Sequence, residues 1–308
     1  MRKIIQNIAF VVLVIILLVV AFNFHLDIPV QELKQEYTNA QSQFIDVDGM
    51  QVHYRDEGAG MPIVLLHGTG ASLHTWDDWS KELTKKYRVI RLDLPAFGLT
   101  GPHPSHDYRL ETYASFLHQF IHKLSLDSLY LGGNSLGGNI SWFYAAQYPE
   151  KVRKLLLLAP SGYPDKAYKS PSVFQLAKTP VVNQILQNIT PKWFIRNNLQ
   201  QVYFDGNKVT EEVVTRYHKM ALRAGNRAAF IARAQTTYVD HAEKLKNIDI
   251  PTLLLWGKED LWIPATIGDK FQTDLPNAKL VVLNNVGHVP MEEAPTESLA
   301  PVLTFLAD

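Results

Sequence analysis

Hydrophobic positions follow three regimes along the chain. The first is an unbroken block. Ile4–Phe24 is apolar apart from Gln6, Asn7 and Asn23, and every residue from Ile8 to Phe22 is apolar. About 20 such residues wound as a helix cross a hydrocarbon core of roughly 30 Å, and only a helix satisfies the backbone polar groups there. Arg2 and Lys3 precede the block, while Asp27 and Glu32 follow it. Positive charge favours the cytoplasmic side, so the N-terminus is expected inside and the rest of the chain on the non-cytoplasmic face, the periplasm in a bacterium. Val19-Val20-Ala21 also offers a small-residue cleavage site, so a signal peptide and a secreted product remain the alternative. A buried core helix fits a uniformly apolar N-terminal block poorly. Residues 1–24 are therefore expected as a membrane anchor, and the polar, helix-capable residues 25–42 as a stalk.

The second regime begins near Gln43, where short β-rich runs alternate with amphipathic stretches. Phe44–Val47 and Gln51–Arg55 flank Asp48-Gly49, a strong hairpin signal. Further buried runs are Ile63–Leu66, Arg88–Leu92, Leu129–Leu131, Lys154–Leu158, Thr252–Leu255 and Leu280–Leu283. Helical spacing appears around Trp76–Lys86 and in Leu110–Leu124, where Tyr113, Leu117, Phe120, Ile121 and Leu124 share a face. Near-continuous apolar strands separated by helices predict a mostly parallel sheet covered on both faces.

The third regime interrupts that alternation. Between Leu158 and Thr252 the pattern is helical, with Glu211–Leu222 and Arg227–Tyr238 the clearest segments and Pro171, Pro180 and Pro191 as punctuation. So long an insertion is more often a functional subdomain than a loop. It is expected to cap the carboxyl ends of the strands, where such sheets bind ligands. Residues 43–162 and 246–308 then form the core, and 163–245 the cap.

Composition adds mainly exclusions. Lysine plus arginine equal aspartate plus glutamate at 30 each, so no net field points to nucleic acid. The chain has no cysteine, which excludes disulfides, thiolate metal sites and a cysteine nucleophile.

Candidate chemistry gathers at strand ends. Leu129 to Gly138 reads as a strand entering a helix through Gly-x-Ser-x-Gly, centred on Ser135. Such a turn presents a serine on a strained backbone and aims the N–H of Leu136 at a developing oxyanion. His67-Gly68-Thr69-Gly70 closes an earlier strand, and a second N–H there, from Thr69 or alternatively Gly70, completes an oxyanion hole. A serine hydroxyl needs a base. His288, in Val286-Gly287-His288-Val289-Pro290, follows the last strand and suits that role better than His67, which reads as structural. The histidine in turn needs a carboxylate, and Asp260 lies just past the preceding strand, with Glu259 as its competitor. The chain order Ser135, Asp260, His288 is that of α/β-hydrolases.

With these motifs and Asp93-Leu94-Pro95-Ala96-Phe97-Gly98 in place, the chain resembles the α/β-hydrolase family from about Phe44 to the C-terminus. It looks most like the capped esterases, lipases and carbon–carbon bond hydrolases, and its apolar N-terminus and lid are similar to those of membrane-anchored monoacylglycerol lipases. The resemblance implies an α/β fold: an eight-stranded, mostly parallel sheet with helices on both faces and an inserted helical cap, here after an N-terminal transmembrane helix. It also implies hydrolysis of a small-molecule ester, hydrophobic or lipid-like, through an acyl-enzyme, with no metal or organic cofactor and no nucleic-acid partner. Epoxide hydrolases and haloalkane dehalogenases of this fold carry aspartate at the elbow, so Ser135 argues against both; haloperoxidase-like side activity stays open. Cleavage of a carbon–carbon bond in a dienone uses the same triad, and Arg223 or Arg227 offers a group for that substrate's carboxylate. A non-catalytic binding module on the same fold is the alternative from a different class.

The remaining features weigh less. His118 and His122, four apart on a helix, read as a solvated face rather than a metal site. The glycines around Ser135 lack the lysine and spacing of a P-loop. Trp193, Phe194, Tyr203, Phe204 and Phe230 in the cap are candidates for an acyl pocket.

Overall fold

The computed structural model describes Lys3, Gln6, Asn7, Phe10 and residues 25–164 and 171–308. Apart from Gln6, Asn7 and Phe10, the apolar block expected to be an anchor therefore lies outside the described residues. Among those described, no helix is long and apolar enough to cross a membrane.

Eight strands form one sheet: β1 (Ser42–Val47), β2 (Met50–Gly58), β3 (Pro62–Leu66), β4 (Arg88–Leu92), β5 (Leu129–Asn134), β6 (Val152–Leu158), β7 (Thr252–Gly257) and β8 (Ala278–Leu283). Their spatial order is β1-β2-β4-β3-β5-β6-β7-β8. Only β2 runs against its neighbours; β3 to β8 are parallel. The β1–β2 hairpin closes at Asp48-Gly49, both with positive φ (51° and 77°), the twist that a two-residue hairpin needs.

The apolar runs are continuous because both faces of the sheet are covered. Val64, Leu66, Ile90, Leu92, Leu131, Leu155 and Leu157 share one buried cluster, while Ile63, Leu65, Val89, Leu156 and Leu158 share the other. The split follows the two-residue period of a strand. Helices α3 (Leu110–Lys123) and α4 (Leu136–Gln147) supply Phe116, Phe120, Trp142 and Phe143 to the first cluster. Helices α2 (Asp77–Leu83) and α12 (Pro295–Ala307) supply Trp79, Leu83, Leu299 and Val302 to the second. The stretch expected as one helix around Trp76–Lys86 splits into a 3-10 turn, Leu73–Trp76, and α2.

The insertion after β6 is helical over its described part. It holds α5 (Ser172–Lys178), α6 (Val182–Leu186), α7 (Lys192–Val202), α8 (Glu211–Leu222) and α9 (Asn226–Gln235). Helix α8 matches its expected bounds and is capped by the Thr210 hydroxyl, which accepts from Val213 N. Helix α9 stops at Gln235 rather than Tyr238, because Thr236 turns to an extended ψ and Tyr238 donates its hydroxyl to Gly162 O. Beyond the cap, α10 (Thr266–Asp274) packs beside β7 and β8, and the short α11 (Pro290–Glu293) precedes α12.

Residues 25–42 do not stand off as a stalk. Helix α1 (Val30–Tyr37) buries Leu33 against Leu99 and Met220. Before it, Ile28 N donates to Leu222 O at 2.7 Å, and Asp27 pairs with Arg227 at 2.6 Å. Lys219 reaches Glu36 at 2.6 Å. The polar face that suggested a stalk is thus the outer side of a segment docked by a few apolar contacts onto the cap and core.

Candidate active site

At the end of β5 the chain turns sharply into α4, and Ser135 sits at the turn with φ 53° and ψ −113°. A non-glycine residue there is strained. The backbone on either side holds it: Ser135 N donates to Leu158 O, and Ser135 O accepts from Asn139 N and Ser161 N. The turn closes because its flanks lack side chains. A Cβ at Gly133 would lie 2.3 Å from Gly137 carbonyl atoms, and one at Gly137 would lie 2.2 Å from Leu66 O. Both obstacles are backbone, which cannot swing aside. Gly137→Ala is accordingly expected to cost more than about 3 kcal/mol of stability, read by denaturant unfolding.

His288 and Asp260 follow β8 and β7 respectively. His288 Nδ1 lies 2.7 Å from Asp260 Oδ2, and both side chains are almost wholly buried. The other Asp260 oxygen accepts from Trp262 N at 2.8 Å and Ile263 N at 2.9 Å. The carboxylate thus has a fixed orientation, and the proton on Nδ1 is assigned by its acceptor. That leaves Nε2 with its lone pair free. Buried Nε2 has no hydrogen-bond partner, and His288 shares its cavity with Ser135. Glu259 is not in contact with the imidazole; it accepts from Val286 N instead. His288 is also held through its backbone: its N donates to Val202 O at 2.7 Å, and its O accepts from Asn134 Nδ2 at 3.0 Å.

Thr69 and Gly70 border the same cavity, with Gly70 at φ 77°. A Cβ on Gly68 would come within 3.3 Å of Ser135 Cβ, so this loop runs directly beside the serine. Leu136 opens α4, where a first-turn N–H has no acceptor within the helix.

His67 is structural in its contacts. Its Nδ1 bonds Gly68 O at 2.7 Å and its Nε2 accepts from Leu94 N at 3.0 Å, which ties the loop after β3 to the loop after β4. Asp93 anchors that second loop, accepting from Leu73 N, Leu99 N and His53 Nδ1. Burial pushes the Asp93 carboxyl up, but the charge and hydrogen bond of His53 outweigh it, and the group stays below the usual carboxylate range. Burial lowers His67, and lowers His74 to about 4. A histidine whose folded pKa is depressed stabilises the fold above its unfolded value near 6.5, and that contribution is lost as pH falls. Stability is therefore expected to decline between about pH 6.5 and pH 4, by roughly 3 kcal/mol for His74 alone. Urea unfolding across that range checks it, and His74→Asn should flatten the slope.

Two chambers meet at Ser135 and His288. One, of about 160 Å³, lies under the cap and is walled by Phe97, Val173, Phe174, Leu186, Phe194, Ile195, Leu199, Val202, Phe230 and Ile231. The other, of about 210 Å³, is more polar and presents Asn139, Ser161, Lys178, Arg233 and His241. Trp262 borders both, its ring centroid 5.7 Å from that of His288.

A family model described as alpha/beta hydrolase fold matches residues 61–295. The chain belongs to the alpha/beta hydrolase fold family. An uncharacterised hydrolase, YugF, of Bacillus subtilis (strain 168) is 31% identical over 258 residues, covering 81% of this chain and 92% of that protein. The 2-hydroxy-6-oxononadienedioate/2-hydroxy-6-oxononatrienedioate hydrolase of Burkholderia vietnamiensis is 29% identical over 283 residues, covering 87% and 96%. Among solved structures, a membrane phospholipase A described as a bacterial virulence factor superposes with TM-score 0.75 at 26% identity, covering 100% of this chain and 98% of that one. The alpha/beta hydrolase relatives thus include both carbon–carbon bond hydrolases and lipid hydrolases.

Within this hydrolase fold the cap aromatics divide. Phe194 and Phe230 line the apolar chamber, whereas Trp193 and Phe204 are exposed and Tyr203 is buried elsewhere. Arg227 borders the chamber, held by Asp27 and by His25 O, with Nη1 unpartnered. Arg223 instead donates to the carbonyls of Leu99, Thr100 and Ala224. His118 stacks on Tyr148, and among the described residues no three His, Cys, Asp or Glu side chains group to hold a metal.

Three residues at the hydrolase site were not anticipated. Asn134 joins the elbow to the histidine loop. Glu292 gathers Thr75, Tyr203, Tyr217 and Arg216 around one buried carboxylate. Glu293 accepts from Gly287 N and Asp205 N. The last two fasten the cap's α7–α8 side to the loop of His288. The only sequence signal was an acidic pair in a short helix after a histidine.

Proposed function

We propose that this chain is a serine hydrolase of carboxylic esters with hydrophobic acyl groups. The observation that carries the proposal is the pairing of an apolar and a polar chamber at Ser135, beside the buried, unpartnered Nε2 of His288. The acyl chain occupies the chamber under the cap, and the alcohol half of the ester faces the polar one.

In this reading Ser135 attacks the ester carbonyl as His288 Nε2 takes its proton. Asp260 stabilises the imidazolium and holds its tautomer. The N–H of Leu136 and that of Thr69, with Gly70 as the alternative second donor, receive the oxyanion. His288 then protonates the departing alcohol, and water follows the same course to release the acid. The N-terminal block anchors the enzyme, with the catalytic domain on the non-cytoplasmic side. Alkaline extraction of membranes tests the anchor: an anchored chain stays in the pellet, and a cleaved one is soluble and shorter.

Hydrolysis of a dienone carbon–carbon bond is the second reading, favoured by the Burkholderia relative and by Arg227 at the chamber wall. Against it, Asp27 already meets the Arg227 charge at 2.6 Å. Kinetics on a p-nitrophenyl ester series and on a chromogenic dienone separate the two. The ester reading expects kcat/KM to be higher for the esters, and Arg227→Gln to change it less than about threefold. A carbon–carbon hydrolase would prefer the dienone and lose about tenfold or more in that variant, the cost of an unpaired carboxylate.

A further inference from the structure

We infer that the outer face of the cap segment 181–193 rests on the lipid bilayer holding the N-terminal block, so that substrate reaches the apolar chamber from the membrane. The inference rests on the ester-hydrolase and anchor readings above.

Three large apolar side chains within this thirteen-residue segment are exposed. Val181 is 66% exposed, Ile185 48% and Trp193 60%, and Leu26, next to His25 whose N bonds Asn188 O in this segment, is 76% exposed. Exposed apolar clusters on soluble surfaces mark sites of contact. The position of the tether identifies the partner. His25 is the first described residue after the apolar block, and its N donates to Asn188 O at 3.1 Å, in the loop between α6 and α7. Its ring packs edge-on against His218, whose Nε2 bonds Thr190 O at 2.8 Å. The chain thus arrives from its apolar block at the middle of this face, and its two residues after His25 remain bound there through Asp27 and Arg227. A domain so closely tethered turns this face to the bilayer. A tryptophan among exposed aliphatics suits the interface, where its ring buries and its N–H stays hydrated.

The same segment has an inner side. Leu186, Thr190, Phe194 and Ile195 line the apolar chamber. One layer of cap therefore separates bilayer from active site. A cavity of about 150 Å³ takes a ligand of benzene size, so the 160 Å³ chamber holds an acyl segment of about six carbons. The remainder of a longer chain stays outside the protein, and a bilayer against this face gives it an apolar environment.

Tryptophan fluorescence tests this cleanly. Residues 1–24 contain no tryptophan. Trp76, Trp79, Trp142 and Trp256 are fully buried and Trp262 lies beside His288, which leaves Trp193 exposed on the cap face. The full chain is reconstituted in phosphatidylcholine vesicles with and without acyl-brominated phosphatidylcholine. Bromolipid is expected to quench a component of the emission that is absent in Trp193→Phe and weakened in Val181→Ser/Ile185→Ser. That double variant should hydrolyse a water-soluble short ester at the wild-type rate, but a long-chain ester in vesicles several-fold more slowly. Protein that floats with the vesicles yet shows no Trp193 quenching overturns the docking while leaving the anchor intact. Trp193 shielded equally from acrylamide in both vesicle types, with dimers on cross-linking, assigns the face to a second copy and likewise overturns it. Failure to float removes the anchor reading and the inference with it. Quenching in a protein inactive on all esters keeps the docking but overturns the ester-hydrolase reading and, with it, delivery of substrate from the membrane.

Discussion

Ser135→Ala is expected to lower kcat/KM on p-nitrophenyl esters by at least about 10⁴-fold and to abolish labelling by a fluorophosphonate probe. Thr69 also borders both chambers, but among the described residues it has no hydrogen bond to His288, whose Nδ1 is held by Asp260, so its hydroxyl is not expected to replace that of Ser135. The fold should survive, because the elbow is held by main-chain bonds from Leu158, Asn139 and Ser161 that alanine retains. A melting temperature within a degree or two of wild type would confirm that the loss is chemical. His288→Ala is expected to fall as far, and the double variant hardly further, since nucleophile and base act as one unit. Full activity in Ser135→Ala would sink the acyl-enzyme mechanism.

The core was readable because its physics is local. Eight apolar runs, each ended by glycine, proline or a polar turn, define eight strands, and Asp48-Gly49 alone is enough to specify the first hairpin. The relation of Ser135, Asp260 and His288 follows from strand order, since each sits just past the end of its own strand. What could not be read depends on contacts between distant segments. Asn134 looks like any polar residue before a serine until the sheet brings His288 O to it, 154 positions away. Glu292 is one more acidic side chain until α7 and α8 fold over it and surround it with Tyr203, Arg216 and Tyr217. Helix α1 failed in the opposite sense. Its sequence is polar enough for a free stalk, and only Leu33, seated against Leu99 and Met220, decides that it docks.

Those contacts also say which part of the cap is fixed. Val202 O, Asp205 N and Tyr203 all bond the segment carrying Gly287, His288, Glu292 and Glu293. The C-terminal end of α7 is therefore part of the framework that holds the His288 loop. The α5–α6 side meets the rest of the cap largely through apolar side chains, Ala177, Phe174, Leu186, Phe230 and Ile231, with Gln235 Nε2 donating to Ala177 O. Apolar packing of that kind resists slip less than a buried carboxylate with four donors. Substrate entry is expected on this side, which is also the side of Val181 and Ile185.

Asp260→Asn is expected to cost about 10³–10⁴-fold in kcat/KM with little change in KM or in melting temperature. The reason lies in the two backbone donors. Trp262 N and Ile263 N fix one oxygen of residue 260 as an acceptor. An asparagine must place its own oxygen there, which turns the amide NH₂ toward His288 Nδ1, where Asp260 Oδ2 now sits at 2.7 Å. Nδ1 then becomes an acceptor and the ring proton moves to Nε2, so the atom facing Ser135 can no longer take its proton. The imidazolium that forms during the reaction also loses its counter-charge. Glu259→Gln supplies the control: the Glu259 carboxylate accepts from Val286 N, a bond that glutamine can keep, and its variant should stay within about threefold of wild type. A loss in Glu259→Gln equal to that in Asp260→Asn would reassign the acid. Near-wild-type activity in Asp260→Asn would mean that the charge of residue 260 and the Nδ1 proton it fixes are dispensable, and that the geometry of the pair suffices.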